Sequence, residues 1–207
     1  MTRAPALPGR WRTVAYVFFR PRRILEDWQA ADPDVPWILA RLTVPLLLAS
    51  VLGAGIAHAL IPSGFPPETR PDPIGFGIYS ALTQFVGVLA LAAAAHYLCD
   101  LFQGYSDFRR PLTAVSVALI PAWVGNVVAA LPWPVGPHLA LLLILYNLGL
   151  LYAAFAIIVG VRRGNRLAHY LAALVVALLV TFAFGWQAMT LIPGATPEVR
   201  LGTTWLI

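Results

Sequence analysis

The chain has 207 residues, of which 59% are hydrophobic and only 11% are charged, and its 14 basic residues are all arginine against nine acidic ones. Soluble domains carry about a quarter charged residues, so this composition excludes a water-soluble globular fold and predicts one membrane domain. The single cysteine, Cys99, excludes an intrachain disulfide and a multi-cysteine metal site.

The first 35 residues are predicted to form an arm and not a span. Apolar residues recur there at helical spacing on one face: Trp11, Val14, Ala15, Phe18 and Phe19. Arg10, Arg12 and Thr13 are assigned to the other face, which is typical of an interfacial helix. After Pro21, the arginines Arg22 and Arg23 and the aromatic Trp28 predict contact with anionic phospholipid headgroups. A helix that docks on a partner protein would have the same pattern.

Five apolar stretches follow, each near or above the roughly 20 helical residues that cross a bilayer. They cover 36–61, 73–99, 111–131, 137–161 and 167–191. Four begin with a proline, which suits the first helical turn because its missing amide has no partner there. The sequence therefore predicts an all-α polytopic bundle with five transmembrane helices at 36–191, preceded by the amphipathic arm at 1–35 and followed by a tail at 192–207.

Arginine placement predicts the orientation. Only Arg70 and Arg200 lie on one side of the five predicted spans, and the other twelve arginines share the opposite side. Because positive residues are retained in the cytoplasm, the amino terminus is predicted to be cytoplasmic and the carboxyl terminus extracytoplasmic.

Small residues recur every three or four positions in two spans, in Ala49, Gly53 and Ala57 and again in Gly149, Ala153, Ala156 and Gly160. Such seams let helix backbones approach closely. Packing within the chain would explain them, and so would a contact with a partner protein or a homo-oligomer.

Few polar residues fall inside the spans. Pro121 is predicted to kink the third span, with Asn126 nearby and Asn147 on the fourth span. The kink is either structural or part of a polar site, and Asn147 is predicted to hydrogen-bond to Asn126 or to the backbone. Before the third span, Asp107, Arg109 and Arg110 either pair within the loops or form a docking patch.

The order of these features resembles the Yip family of membrane proteins. The matching segments are Phe19-Arg20-Pro21, Leu101-Phe102-Gln103-Gly104, Asp107-Phe108-Arg109-Arg110, Pro121-Ala122-Trp123, Leu131-Pro132, Leu145-Tyr146-Asn147-Leu148 and Leu151-Tyr152. Eukaryotic Yip proteins are known as Rab-GTPase-interacting factors, and the family has many bacterial relatives. The resemblance implies five spans and a cytoplasmic amino terminus, here in a bacterial cytoplasmic membrane.

The resemblance also implies a non-enzymatic adaptor or accessory subunit that binds and stabilises other membrane proteins. Rab binding is not implied, because this chain lacks the long amino-terminal domain of the trafficking members. The alternative is a small-solute or ion pathway near Pro121, Asn126 and Asn147. No catalytic, cofactor or metal site is predicted, and the membrane-flanking arginines do not form the free basic face that nucleic acids bind.

Overall fold

The computed structural model describes residues 9–61, 72–102, 104 and 107–195, and this part of the chain contains helices and no strand. The amino-terminal helices are α1 (Arg10–Phe19) and α2 (Pro21–Ala31). Five longer helices follow: α3 (Val35–Leu60), α4 (Pro73–Tyr97), α5 (Arg109–Val128), α6 (Val135–Val159) and α7 (Arg166–Leu191). Each of the five is long and apolar enough to cross a membrane, so all five predicted spans are confirmed.

The central helix of the bundle is α5. Of the 18 consecutive residues that form its most apolar stretch, 67% are buried, against 22% to 39% in the other four helices. It packs against α3, α4 and α6, and α7 packs along α4. At one end of the bundle, α3, α5 and α7 begin and α4 and α6 end. We call this the arginine-rich end, and its helix-terminal residues are Val35, Tyr97, Arg109, Val159 and Arg166.

The prolines lie within the first turn of four helices, but not always at the first residue. Pro73 is the first residue of α4, and Pro36 is the second of α3. Pro111 and Pro137 are each third in their helices, so these two helices begin earlier than predicted. The whole first turn lacks amide partners, which makes all of these positions acceptable for proline.

Three helices depart from regular α geometry. In α3, residues Leu39–Thr43 form a wide π turn just before Pro45, which has no amide to donate. In α6, a similar turn at Phe155–Val159 ends at Gly160, whose φ of 75° suits glycine. The helix α5 is interrupted at Leu119, two residues before Pro121, as the predicted kink requires.

The amino-terminal arm is packed into the bundle. Helices α1 and α2 form a hairpin, and Val17, Ile24, Leu25 and Trp28 are fully or almost fully buried in the common core. The hairpin lies against α5 and α6. The arm therefore belongs to the same packed unit as the spans.

The predicted faces of α1 were partly wrong. Thr13, assigned to the same face as Arg10 and Arg12, is completely buried, whereas Trp11 and Phe19 are 84% and 82% exposed. Thr13 tolerates burial because its hydroxyl donates to the Gly9 carbonyl at 3.1 Å and accepts from the Trp28 indole at 3.3 Å. Trp11 and Phe19 are exposed together with Arg10 and Arg12, whereas Thr13 and Val17 pack on the protein.

Candidate functional site

Polar side chains join α3 to α5 on both sides of the interruption at Leu119. The hydroxyls of Thr43 and Ser116 lie 2.7 Å apart, and Ser50 donates to the Trp123 carbonyl at 2.9 Å. The Asn126 amide in turn donates to the Ser50 hydroxyl at 3.2 Å. These contacts use the polar groups near the kink to hold two helices together.

Asn147 was predicted to hydrogen-bond to Asn126 or to the backbone, and the hydrogen bond to Asn126 is not formed. Asn147 is only 6% exposed, and its side-chain oxygen has no hydrogen-bond partner in the described part of the chain. The reason is that the Asn126 amide is engaged by Ser50 on α3, away from α6. Between α5 and α6 the packing is close, because a Cβ added at Gly125 would lie 3.4 Å from the Leu143 side chain.

An ion-pair cluster centred on Arg109 stands at the arginine-rich end. Its guanidinium lies 2.7 Å from the Asp107 carboxylate and 3.7 Å from both Asp32 and Asp34. The hydrogen bond from Arg109 lowers the pKa of Asp107 below its ordinary value. The loop pairing expected for Asp107 and Arg109 is present, and the two aspartates that follow α2 are additional partners. Arg109 therefore connects the hairpin to the start of α5.

The residues predicted as lipid or partner contacts of the arm divide into exposed and packed groups. Arg22 and Arg23 are exposed on α2, and Arg22 pairs with Glu26 at 3.0 Å. Phe18 is half-buried and its ring stacks on Tyr146, with 6.1 Å between centroids. For Trp28 the prediction was wrong: this ring is 1% exposed and contacts the protein interior, because the turn between α1 and α2 folds it inward.

The two predicted small-residue seams have different surroundings. A Cβ added at Gly53 would lie 3.1 Å from the Val127 side chain, so α3 and α5 approach closely there. Gly149 is exposed on α6, and a Cβ added to it would meet nothing within 4 Å. Ala153, one turn later, is half-buried. Gly53 of the first seam therefore packs within the chain while Ala49 is exposed, and at Gly149 the second seam leaves α6 accessible from outside.

A buried cluster near the arginine-rich end was not predicted. The Cys99 thiol donates to the Ala95 carbonyl at 3.1 Å, and the His169 Nε2 lies 2.9 Å from the same oxygen. The His169 ring also meets Phe102 and Phe155 edge-on. This carbonyl is in the last turn of α4, where helices lack backbone partners. The cluster attaches α4 to α7, and sequence spacing could not reveal it because Cys99 and His169 are 70 positions apart.

Two open clefts lie on the outer surface of the bundle. One, of about 180 Å³, lies between α1, α3 and α5 and is lined by residues that include Trp11, Ser50 and Trp123. The other, of about 290 Å³, lies between α4 and α7 beside Thr83 and Gly185. Neither cleft is lined by Asn126 or Asn147.

Several segments that carried the family resemblance meet in space around α1. Tyr146 donates to the Val17 carbonyl, next to Phe19-Arg20-Pro21, and Trp123 shares a cleft with Trp11. Gln103 in the loop segment lies outside the described residues, as do Arg70, Arg200 and the tail beyond residue 195.

Comparison with known proteins gives one family match. The family model described as the Yip1 domain matches residues 15–185, a range that includes all the segments of the resemblance. No curated protein and no solved structure matches the chain. With five helices able to cross a membrane and a match over most of its length, this chain is an integral membrane protein of the Yip1 family.

Proposed function

We propose that the protein is a non-enzymatic adaptor or accessory subunit that binds and stabilises other integral membrane proteins. The observation that carries the proposal is the accessible face of α6 around Gly149. Leu145, Leu148 and Tyr152 surround this glycine and are all exposed. Helix association inside a bilayer depends on close backbone approach, and an exposed glycine flanked by large apolar side chains offers a shallow groove for a partner helix.

The proposal is tested by purification from native membranes in a gentle detergent. We expect a membrane protein to remain bound in stoichiometric amounts. Gly149→Leu should release it because the side chain fills the groove. Gly77→Leu is the matched control, since Gly77 on α4 also has nothing within 4 Å of its Cβ position. A partner-free monomer, or a complex of this chain with itself only, would contradict the proposal.

The second binding element of the proposal is the arm with its Arg109 cluster. Replacement of the exposed Arg22 and Arg23 by glutamine, or of Arg109 and Arg110 by glutamine, should weaken the same complex. Arg109 must be changed separately from Arg110, because only Arg109 also holds Asp32 and Asp34. Loss of the partner in both single variants would assign the effect to docking and not to the attachment of the hairpin.

We further propose that the arginine-rich end faces the cytoplasm of a bacterial cell and that the carboxyl terminus lies outside. The support is the distribution of arginines along the sequence. Arg23 and Gln187 are exposed near opposite ends, and the native Cys99 is buried. In intact cells, a membrane-impermeant maleimide should label Gln187→Cys at once and Arg23→Cys only after permeabilisation. The reverse pattern would invert the topology.

A small-solute or ion pathway is the alternative function. The side-chain oxygen of buried Asn147 favours it, because this oxygen has no partner among the described residues and such a group is costly unless it has a use. The engagement of Asn126 with Ser50 and the close packing at Gly125 oppose it. Solute flux into vesicles that is abolished by Asn147→Leu would establish this pathway in place of the adaptor role.

A further inference from the structure

The cleft between α1, α3 and α5 has apolar walls. Val14 contributes from α1, Ala49 from α3, and Trp123 and Val127 from α5. Ser50 is the polar side chain among the lining residues, and its hydroxyl already donates to the Trp123 carbonyl. The cleft therefore offers a ligand apolar contacts, and polar groups contribute little to the binding free energy.

We propose that this cleft holds part of one acyl chain of an anionic phospholipid whose phosphate contacts Arg10. The cleft opens on the outer surface of the bundle, where Leu48 and Leu52 of α3 are 45% and 64% exposed. In a membrane protein this surface faces lipid chains. A protein cavity of about 150 Å³ admits a benzene molecule, so the cleft takes about six chain carbons, a segment of one chain.

The position of Arg10 relates the headgroup to the cleft. Arg10 precedes Val14 by four residues, so both lie on the same side of α1, and Val14 lines the cleft. Arg10 is exposed, and no carboxylate of the described residues lies within ion-pair distance of it. A guanidinium presents paired N–H groups that match phosphate oxygens.

The other two arginines of the α1 region are turned to the opposite side of the helix. Arg12 lies 3.7 Å from Asp27, and its guanidinium is 5.0 Å from the centre of the Tyr16 ring. Arg20 stands over the same ring at 6.0 Å. Because Arg12 and Tyr16 are four residues apart in α1, they share a stripe away from the cleft, and Arg20 contacts the same ring. Arg10 is the arginine of α1 on the cleft side.

Charged residues on α2 provide polar surroundings next to α1. Arg22, Arg23 and Glu26 are exposed on α2, which packs near the arginine-rich end of the bundle. Exposed charges require water or headgroups around them. Binding of a phosphate at Arg10 requires this polar layer to extend from α2 along the hairpin as far as α1, with hydrocarbon beside the cleft.

The experiment uses the full chain in vesicles of phosphatidylcholine with a minor fraction of phosphatidylglycerol. The probe is a phosphatidylglycerol with a photoreactive diazirine in its acyl chain, and labelled peptides are mapped by mass spectrometry. We expect labelling around Ala49 and between Ile120 and Val127. Unlabelled phosphatidylglycerol should compete about fivefold better than phosphatidylcholine, as expected for one arginine at the membrane surface. Inorganic phosphate should not compete, because the acyl chain is required.

Two matched pairs of variants locate the site. Ala49→Phe fills the cleft and should remove the labelling, whereas Ala183→Phe, at an exposed alanine of α7, should leave it unchanged. Arg10→Gln should abolish the fivefold preference for phosphatidylglycerol, and Arg20→Gln should preserve it. Arg10 is exposed, so its variant remains informative even if Ala49→Phe fails to fold.

Labelling spread evenly over all lipid-facing helices and unaffected by Ala49→Phe would identify ordinary surrounding lipid and overturn the proposal. Equal competition by both phospholipids in the native chain would overturn the role of Arg10. If Ala49→Phe instead releases a stoichiometric protein, the cleft is a protein-docking groove and not a lipid site. The Gly149 variants report on the adaptor function separately, so either idea can fail alone.

Discussion

The hydroxyl of Tyr146 on α6 donates a hydrogen bond to the carbonyl of Val17 on α1 at 2.5 Å. In a continuous helix this carbonyl would accept from the amide four residues later, but that residue is Pro21, which has no amide hydrogen. Tyr146 therefore satisfies a backbone group that the hairpin cannot satisfy itself. The same hydrogen bond attaches the amino-terminal hairpin to the fourth span.

The variant Tyr146→Phe should loosen α1. Leaving a partly buried carbonyl unpaired costs about 1–3 kcal/mol, so amide hydrogens of α1 should exchange faster by a corresponding factor. Hydrogen exchange followed by mass spectrometry measures this change peptide by peptide. Tyr152→Phe is the control, because Tyr152 lies on the same helix and is 40% exposed. Equal exchange in both variants would show that the hydrogen bond does not hold α1.

Gly75 and Gly77 provide a test of the contact between the start of α4 and the residues that follow α7. A Cβ at Gly75 would collide with the backbone carbonyl of Pro193, whereas a Cβ at Gly77 would meet nothing within 4 Å. We expect Gly75→Ala to lower stability by about 1–3 kcal/mol and Gly77→Ala to raise it by up to about 1 kcal/mol. Thermal unfolding in detergent compares them. A stable Gly75→Ala protein would mean that this contact is dispensable.

Arg109→Gln should free the turn between α2 and α3, because it removes the partner of Asp32 and Asp34. These ion pairs are solvent-exposed and therefore weak, so the expected effect is local. Limited proteolysis at this turn measures it, and added salt should reproduce part of it in the native chain. Arg110→Gln is the matched control. Similar cleavage in both variants would remove the assigned role of Arg109.

Acid should loosen the loop before α5 through Asp107. Its pKa is lowered by Arg109, so its ion pair contributes stability above the ordinary aspartate pKa of about 4 and loses it as the pH falls through the lowered value. The protection of the amides of residues 107–112, measured against their intrinsic exchange rate at each pH, should therefore fall only below about pH 4. In Asp107→Asn this loss of protection should already be present at neutral pH. An unchanged pH profile in that variant would exclude Asp107 as the group responsible.

The spans were predictable because the signal is local. About 20 consecutive apolar residues identify a crossing helix without knowledge of its neighbours, and the ends at Pro73 and Leu191 match the sequence closely. The break in α5 was also predictable, since Pro121 cannot donate the hydrogen bond that a regular helix needs.

The contacts of the arm were not predictable in the same way. Burial of Thr13 depends on Trp28, and the pairing of Arg109 depends on Asp32, which lies 77 positions earlier. Spacing along a helix indicates which residues share a face, but not which face meets the protein. For α1 both faces offer apolar side chains. Only the packed structure shows that Thr13 and Val17 face the protein and that Trp11 and Phe19 are exposed.

The helices that cross the membrane in this protein are unequal in length. The central helix α5 has 20 residues, about 30 Å along its axis, which equals the thickness of a hydrocarbon core of about 30 Å. The helix α7, packed along α4, has 26 residues, about 39 Å. A helix longer than the hydrocarbon core accommodates this hydrophobic mismatch by tilting. We therefore expect α7 to cross the membrane at a larger tilt than α5.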